Sequence, residues 1–259
     1  MKVRAPLKSK APGGHTMTEL DVVEPLSLVA YLWNDIGIDI PSQLVESYWA
    51  HYREVGAPWA SWSSATPQHV PLALYGDDCK IRPGEKMVGL FLSFPLFRPR
   101  SVRCSKFLLF AVQEELEYKH FTMDSVLRFL VWALNCLHVG RFPRTGCDGE
   151  ELRGAQAERA GKEVVPGRKF AVTELKGDWS WFKKVFRFKS SWKGGTKVPV
   201  CFHCRAGARE PFSIYYKVHA DSECWRSEYT LLDWLVEQCP VRPCCLDRTK
   251  RNTHVTHDV

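Results

Sequence analysis

Two aspartate-bearing boxes dominate the chemistry of this chain: Tyr75-Gly76-Asp77-Asp78 and Leu175-Lys176-Gly177-Asp178-Trp179. Each follows an apolar run of strand length. Carboxylates at strand ends on one sheet are hard oxygen ligands of the kind that Mg²⁺ and Mn²⁺ take. Two such ions about 4 Å apart activate an attacking water or hydroxyl and stabilise the leaving oxygen of a phosphodiester. Asp77, Asp78 and Asp178 are therefore the candidate catalytic residues, with Asp77 and Asp178 as the metal ligands. Strand alternation sends Asp77 and Asp78 to opposite faces, so one of the two is expected to face a metal. Taken singly, each box has a plainer use, because Gly-Asp-Asp makes a turn and an aspartate ahead of Trp179 caps a helix.

A second constellation is Cys201-Phe202-His203-Cys204. A turn in this spacing can present two thiolates to Zn²⁺. One pair is half a site, and His203, His219, Cys224 and Cys239 are the residues available to complete it. The plainer reading is two free thiols. The chain holds ten cysteines and opens without an apolar signal segment, which favours thiols or metal ligands over a disulfide framework.

The third constellation is basic and aromatic. Between Trp179 and Lys197, the residues Trp181, Phe182, Phe186, Phe188 and Trp192 alternate with Lys183, Lys184, Arg187, Lys189, Lys193 and Lys197. Aromatic rings can stack on bases while lysines meet phosphates, although an amphipathic element with its rings in the core gives the same pattern. Arg98, Arg100, Arg103 and Lys106 form a second basic loop, read as lying near the same sheet end. With a net charge of +7, these residues point to DNA as a partner.

The elements that must position these groups follow from periodicity. Pro25 starts a helix with Leu26, Val29, Ala30 and Trp33 on one face, and Ser42 caps a second helix to Glu54 with Leu44, Tyr48, His51 and Tyr52 on its apolar side. Strands are expected over 69–75, 86–97, 107–113 and 169–175. A helix runs over 123–139 and stops at Gly140, and a short one runs over 179–188. Residues 141–168 read as a loop with one exposed helical turn. The order strand-strand-strand-helix-strand-helix is that of a ribonuclease H-like mixed α/β sheet, in which the first and fourth strands lie side by side. The expected divisions are a disordered basic tail (1–18), a helical segment and linker (19–68), the α/β domain (69–197), a Cys-x-x-Cys insertion and helix (198–239) and a disordered tail (240–259).

Tyr-Gly-Asp-Asp, the box Glu174-Leu175-Lys176-Gly177-Asp178-Trp179 and Val200-Cys201-Phe202-His203-Cys204 together resemble a multi-copy family of dinoflagellate genomes. Its order of boxes is similar to that of DDE-type transposases. The resemblance spans about residues 69–236. It implies a ribonuclease H-like catalytic domain, DNA as substrate, Mg²⁺ or Mn²⁺ at Asp77 or Asp78 with Asp178, and a third acid on a later helix. Glu228, Asp233 and Glu237 share one amphipathic helix and are the candidates. The polar tail after Pro243-Cys244-Cys245 suggests a truncated copy with an incomplete site. The alternative is a non-enzymatic, zinc-containing interaction module.

Other classes fit poorly. There is no Gly-rich phosphate loop and no Gly-x-Ser-x-Gly elbow. A polymerase hairpin would need a palm and fingers ahead of Gly-Asp-Asp, and the preceding stretch is short for both. No apolar run reaches a membrane span of roughly 18 residues. The expected location is the nucleus for a transposase-derived protein, otherwise the cytoplasm, without secretion.

Overall fold

The chain opens with a hairpin where a disordered basic tail was expected. Strand β1 (Lys2–Lys8) pairs antiparallel with β2 (His15–Asp21). The acid-free charge pattern hides a short alternation: Val3 and Ala5 are buried between exposed Lys2 and Arg4. The Met1 ammonium donates to the Val22 carbonyl at 2.8 Å, and Thr122 Oγ1 donates to the Pro6 carbonyl, so the hairpin is tied at its start and its middle. The computed structural model describes residues 1–10, 13–55, 60, 66–101, 104–186 and 254–255. The chain forms two units, residues 1–178 with 249–259 and residues 179–248.

In the first unit, α1 (Pro25–Asn34) and α2 (Ser42–Glu54) follow the hairpin. The buried face of α1 overlaps the expected one, and that of α2 differs from it. In α1 the buried residues are Pro25, Leu26, Val29 and Leu32. In α2 they are Val45 and Trp49, while Leu44 is exposed. Ser42 lies inside α2, Pro41 takes the cap position, and no side chain caps the helix. The rotation of α2 has a specific cause. Trp49 Nε1–H needs an acceptor once its ring is buried, and it donates to the His69 carbonyl at 2.7 Å, which fixes the face that α2 turns inward.

The sheet is built from β3 (His69–Arg82), β4 (Glu85–Ser93), β5 (Lys106–Gln113) and β6 (Lys169–Gly177), in the order β5-β4-β3-β6. β3, β4 and β5 form an antiparallel meander, and β6 lies parallel to β3. A two-residue strand, β7 (His254–Val255), adds parallel to β6. β3 is longer than expected. It runs through Gly-Asp-Asp to Arg82, because β4 folds back on it across the Pro83-Gly84 turn.

One face of the sheet is the core. Val70, Leu72, Leu74, Val88, Leu90, Leu92 and Phe170 are buried there. Trp33 of α1 packs edge-on against Phe94 at 4.9 Å and Phe170 at 5.1 Å. The crossover from β5 to β6 carries α3 (Phe121–Val139), which contacts α1, β1 and β6. Its buried set, including Val126, Leu127, Leu130, Leu134 and Leu137, is the helical stripe read from sequence. Gly140 ends α3 with φ 82°, a left-handed conformation that only glycine adopts without strain. The connection onward holds one short helix, α4 (Ala155–Arg159). In the second unit, α5 (Trp179–Phe186) buries Trp181, Phe182 and Val185. No described helix is long and apolar enough to cross a membrane.

A histidine pair, His69 buried and His138 half-buried, ties the start of β3 to the end of α3. His69 Nδ1 accepts from the Thr66 N–H at 2.9 Å, and its Nε2–H donates to the His138 carbonyl at 3.1 Å. The two imidazoles lie 4.5 Å apart. Burial, and then His138, push the His69 pKa down to about 4, and burial lowers that of His138 as well. An unfolded histidine takes its proton near pH ~6.5, so the unfolded state binds protons first as pH falls. The His69 contribution is complete above pH ~6.5 and is lost between there and about pH 4, amounting to ~3 kcal/mol. Urea unfolding midpoints should therefore drop across this interval. His69→Gln, which keeps one acceptor and one donor, should flatten the dependence. An unchanged pH slope in that variant would show that His69 does not drive it.

Candidate functional site

The position of the acids depends on how β6 is registered on β3. Val70 faces Phe170 and Leu72 faces Val172, but Ala73 faces Glu174. Thr173 is the extra residue, a β-bulge. Beyond it the ladder resumes one step later, with Leu74 on Leu175 and Gly76 on Gly177 as the last pair. The next residues along the two chains are Asp77 and Asp178. Without the bulge, Gly177 would be level with Asp77, and Asp178 with Asp78. Thr173 is held on both sides: its Oγ1 donates to the Leu72 carbonyl at 3.3 Å and accepts from the Tyr48 hydroxyl of α2 at 2.9 Å.

Asp77 and Asp78 do project to opposite faces, and each carboxylate is engaged. Tyr75 Oη donates to Asp77 Oδ2 at 2.7 Å. Lys86 Nζ donates to Asp78 Oδ2 at 3.0 Å as an ion pair. A second bulge decides that pairing. Ile81 is extra in β3, so Lys80 rather than Ile81 faces Lys86, and Lys86 falls on the Asp78 side. The Lys86 ammonium is held charged to higher pH than an ordinary lysine, by Asp78 foremost, then by Glu114 and, more weakly, by Asp178. Glu114 directly follows β5 in a short 3-10 turn (Glu114–Leu116).

Sequence reasoning missed Lys86 and Glu114. Position was their only signal, one just after the hairpin turn and the other just after β5. It also paired Asp77 with Asp178 as metal ligands. The structure brings those two to one level of the sheet, yet commits the Asp77 carboxylate to Tyr75. Asp78 holds the Lys86 ammonium, whose charge Asp178 favours only weakly. Among the described residues, no group of three or more His, Cys, Asp or Glu side chains is arranged to hold a metal ion. The residues as they stand do not fit a Mg²⁺ or Mn²⁺ centre, and no step through a bound metal follows from this geometry. Cys201 and Cys204, for zinc, and Glu228, Asp233 and Glu237, for a third acid, lie outside the described residues.

The expected basic residues fall in both units. Arg98 and Arg100 are exposed in the β4–β5 connection. That connection leaves β4 at Ser93, which pairs with Ala73, so it lies at the end of the sheet where β3 begins. The antiparallel return of β4 is the cause. Asp178, the last residue of the first unit before α5, follows the opposite end of the sheet. Lys183 and Lys184 lie on α5, while Arg103, Arg187 and Lys189 lie outside the described residues.

Two substitutions test this arrangement. Asp78→Asn should lower the Lys86 pKa toward that of a free lysine in an NMR titration of its side chain, whereas Asp77→Asn should leave it unchanged. The opposite ranking would place Lys86 on the other face. Tyr48→Phe should cost ~1 kcal/mol in urea unfolding, the usual loss for one hydrogen bond, and should shift the amide resonances of Thr173 and Asp178. Unmoved resonances would mean that Tyr48 does not hold the bulge.

No protein-family model matches the chain, and neither the curated proteins nor the solved structures contain a match to it.

Proposed function

We propose that the α/β part of this chain is a ribonuclease H-like domain derived from a DDE-type transposase of a mobile element, and that it binds DNA. The observation that carries this reading is the strand arrangement: three antiparallel strands, then a helical crossover to a fourth strand parallel to the first, with Asp77 and Asp178 at one level. That is the layout a metal-dependent phosphodiester site requires of its first two acids. In this reading the metal chemistry belongs to the ancestry of the domain. Lys86 provides Asp78 with a permanent counter-charge, and no catalytic step is assigned to the present residues.

DNA binding is supported by the net charge of +7 and by the exposed Arg98 and Arg100. Contacts to phosphates release counterions, so affinity should fall steeply and linearly on a logarithmic salt scale. A nuclear location goes with this role.

The test is fluorescence anisotropy of labelled DNA with the full chain, in EDTA and in Mg²⁺. The expected result is salt-sensitive binding of equal strength in both, retained by Asp178→Asn and weakened by Arg98→Gln with Arg100→Gln. Absence of binding at low salt would overturn the DNA reading. Binding that needs Mg²⁺ and disappears in Asp178→Asn would overturn the assignment of Lys86 as the standing counter-charge.

A further inference from the structure

The core face of the sheet takes one set of alternate residues; the other set is buried at the start of β3, through Ala73, and only partly covered from Tyr75 onward and along β4 and β5. In β4, Val88, Leu90 and Leu92 are buried, while Met87, Phe91 and Ser93 are half-buried. Tyr75, Phe91 and Leu108 stand opposite one another across three neighbouring strands. Leu108 is 47% exposed.

Phe91 does not stand away from this face. A Cβ at Gly89 would come within 2.8 Å of its Cε2 and 3.0 Å of its Cζ, so the ring lies back along the strand over the glycine. Only glycine leaves room for that ring position. Tyr75 sits beside it, with ring centroids 6.1 Å apart, and its hydroxyl is anchored on Asp77. The Lys106 ammonium lies 3.2 Å from the Tyr75 ring centroid, a cation–π contact at the open side of the sheet.

The charge around these rings is mainly basic, with Asp77 beside them on the Tyr75 hydroxyl. By sequence, residues 86–113 hold Lys86, Arg98, Arg100, Arg103 and Lys106 and no Asp or Glu, although Lys86 turns to the opposite face, to Asp78. Arg98, Arg100 and Lys106 are exposed. A second copy of the chain docking here would bring two basic hairpins together, which like-charge repulsion opposes. A polyanion with flat, unpaired faces matches both the charge and the rings. In a duplex the base faces are already stacked on each other, whereas in a single strand they are available to aromatic side chains.

We propose that the partly open face of β3, β4 and β5 is a stacking platform for single-stranded nucleic acid, with Phe91 under a base and Lys106, held over the Tyr75 ring, with Arg98 and Arg100 along the phosphates. The proposal deepens the DNA-binding reading and depends on it. It gives the protein a preference for melted or displaced strands over intact duplex, through residues separate from Asp77, Asp78 and Asp178.

The test uses the full chain and a labelled oligo(dT), with a duplex of equal length beside it, both read by anisotropy. Phe91→Ala should weaken single-strand binding by roughly five- to hundredfold, the usual range for losing one stacked base, and leave duplex binding unchanged. Gly89→Ala, which displaces the ring and keeps every charge, should act in the same direction. Lys106→Gln should weaken binding and flatten its salt dependence. Far-ultraviolet circular dichroism identifies any variant that fails to fold, and Gly89→Ala and Lys106→Gln provide independent readings if Phe91→Ala does. Wild-type binding to oligo(dT) that all three variants retain would overturn the platform. So would a wild-type dimer that Phe91→Ala converts to monomer, since the face would then be a self-association surface. Binding to duplex but not to single strand would overturn this inference and leave the DNA reading standing, and binding to neither would overturn both.

Discussion

Strand β3 is bonded along both edges, and the rest of the first unit is arranged to make that possible. On one edge it meets β4 through a tight hairpin, which is local and needs only the Pro83-Gly84 turn. On the other it meets β6 in parallel, and β6 is about a hundred residues further along the chain. A parallel neighbour requires a crossover, and a crossover must bury a helix to be stable. α3 is that helix. Its apolar stripe contacts α1, β1 and β6, and the N-terminal hairpin is held against it through Thr122. The parallel pairing thus explains why an apparently disordered basic tail folds: it covers part of the helix that the crossover brings in.

The same pairing determines what the acids can do. A parallel ladder of two strands fixes which residues share a level, and a single extra residue shifts that level by one. Thr173 makes this shift between β3 and β6, and Ile81 makes another between β3 and β4. Together they put Asp77 level with Asp178 and turn Lys86 toward Asp78. The outcome is a sheet end at which both β3 carboxylates already have partners, a phenol for Asp77 and an ammonium for Asp78. An ion pair this exposed adds little stability. Its consequence is electrostatic, because it neutralises a carboxylate that would repel a polyanion.

The two faces of the sheet differ in kind. One is closed by Trp33, Phe94 and the helices, and it holds the fold together. Beyond the buried start of β3, the other presents Phe91 and Tyr75, with Asp77 and Lys106 beside the Tyr75 ring. Gly89 shapes the open face, since its missing side chain makes room for the Phe91 ring.

Much of the architecture was legible from residue order. The runs that became β3 to β6, the stripe Val126-Leu130-Leu134-Leu137 and the stop at Gly140 are local patterns, and local patterns depend on neighbours in sequence. The presence of two aspartates just beyond Gly76 and Gly177 was equally plain. The sequence did not reveal the face α2 would bury, the hairpin in residues 2–21, the partners of Asp77 and Asp78, or the sheet end that holds Arg98 and Arg100. Each of these depends on contacts between distant segments: Trp49 finding the His69 carbonyl, Thr122 finding Pro6, Tyr48 holding the Thr173 bulge. A bulge leaves almost no mark in composition or periodicity, yet it moves every later residue by one position and exchanges the faces of the strand. The sequence by itself therefore determined which elements form and which residues carry charge. Only the tertiary structure decided which of those charges meet, because strand register is set by long-range hydrogen bonds.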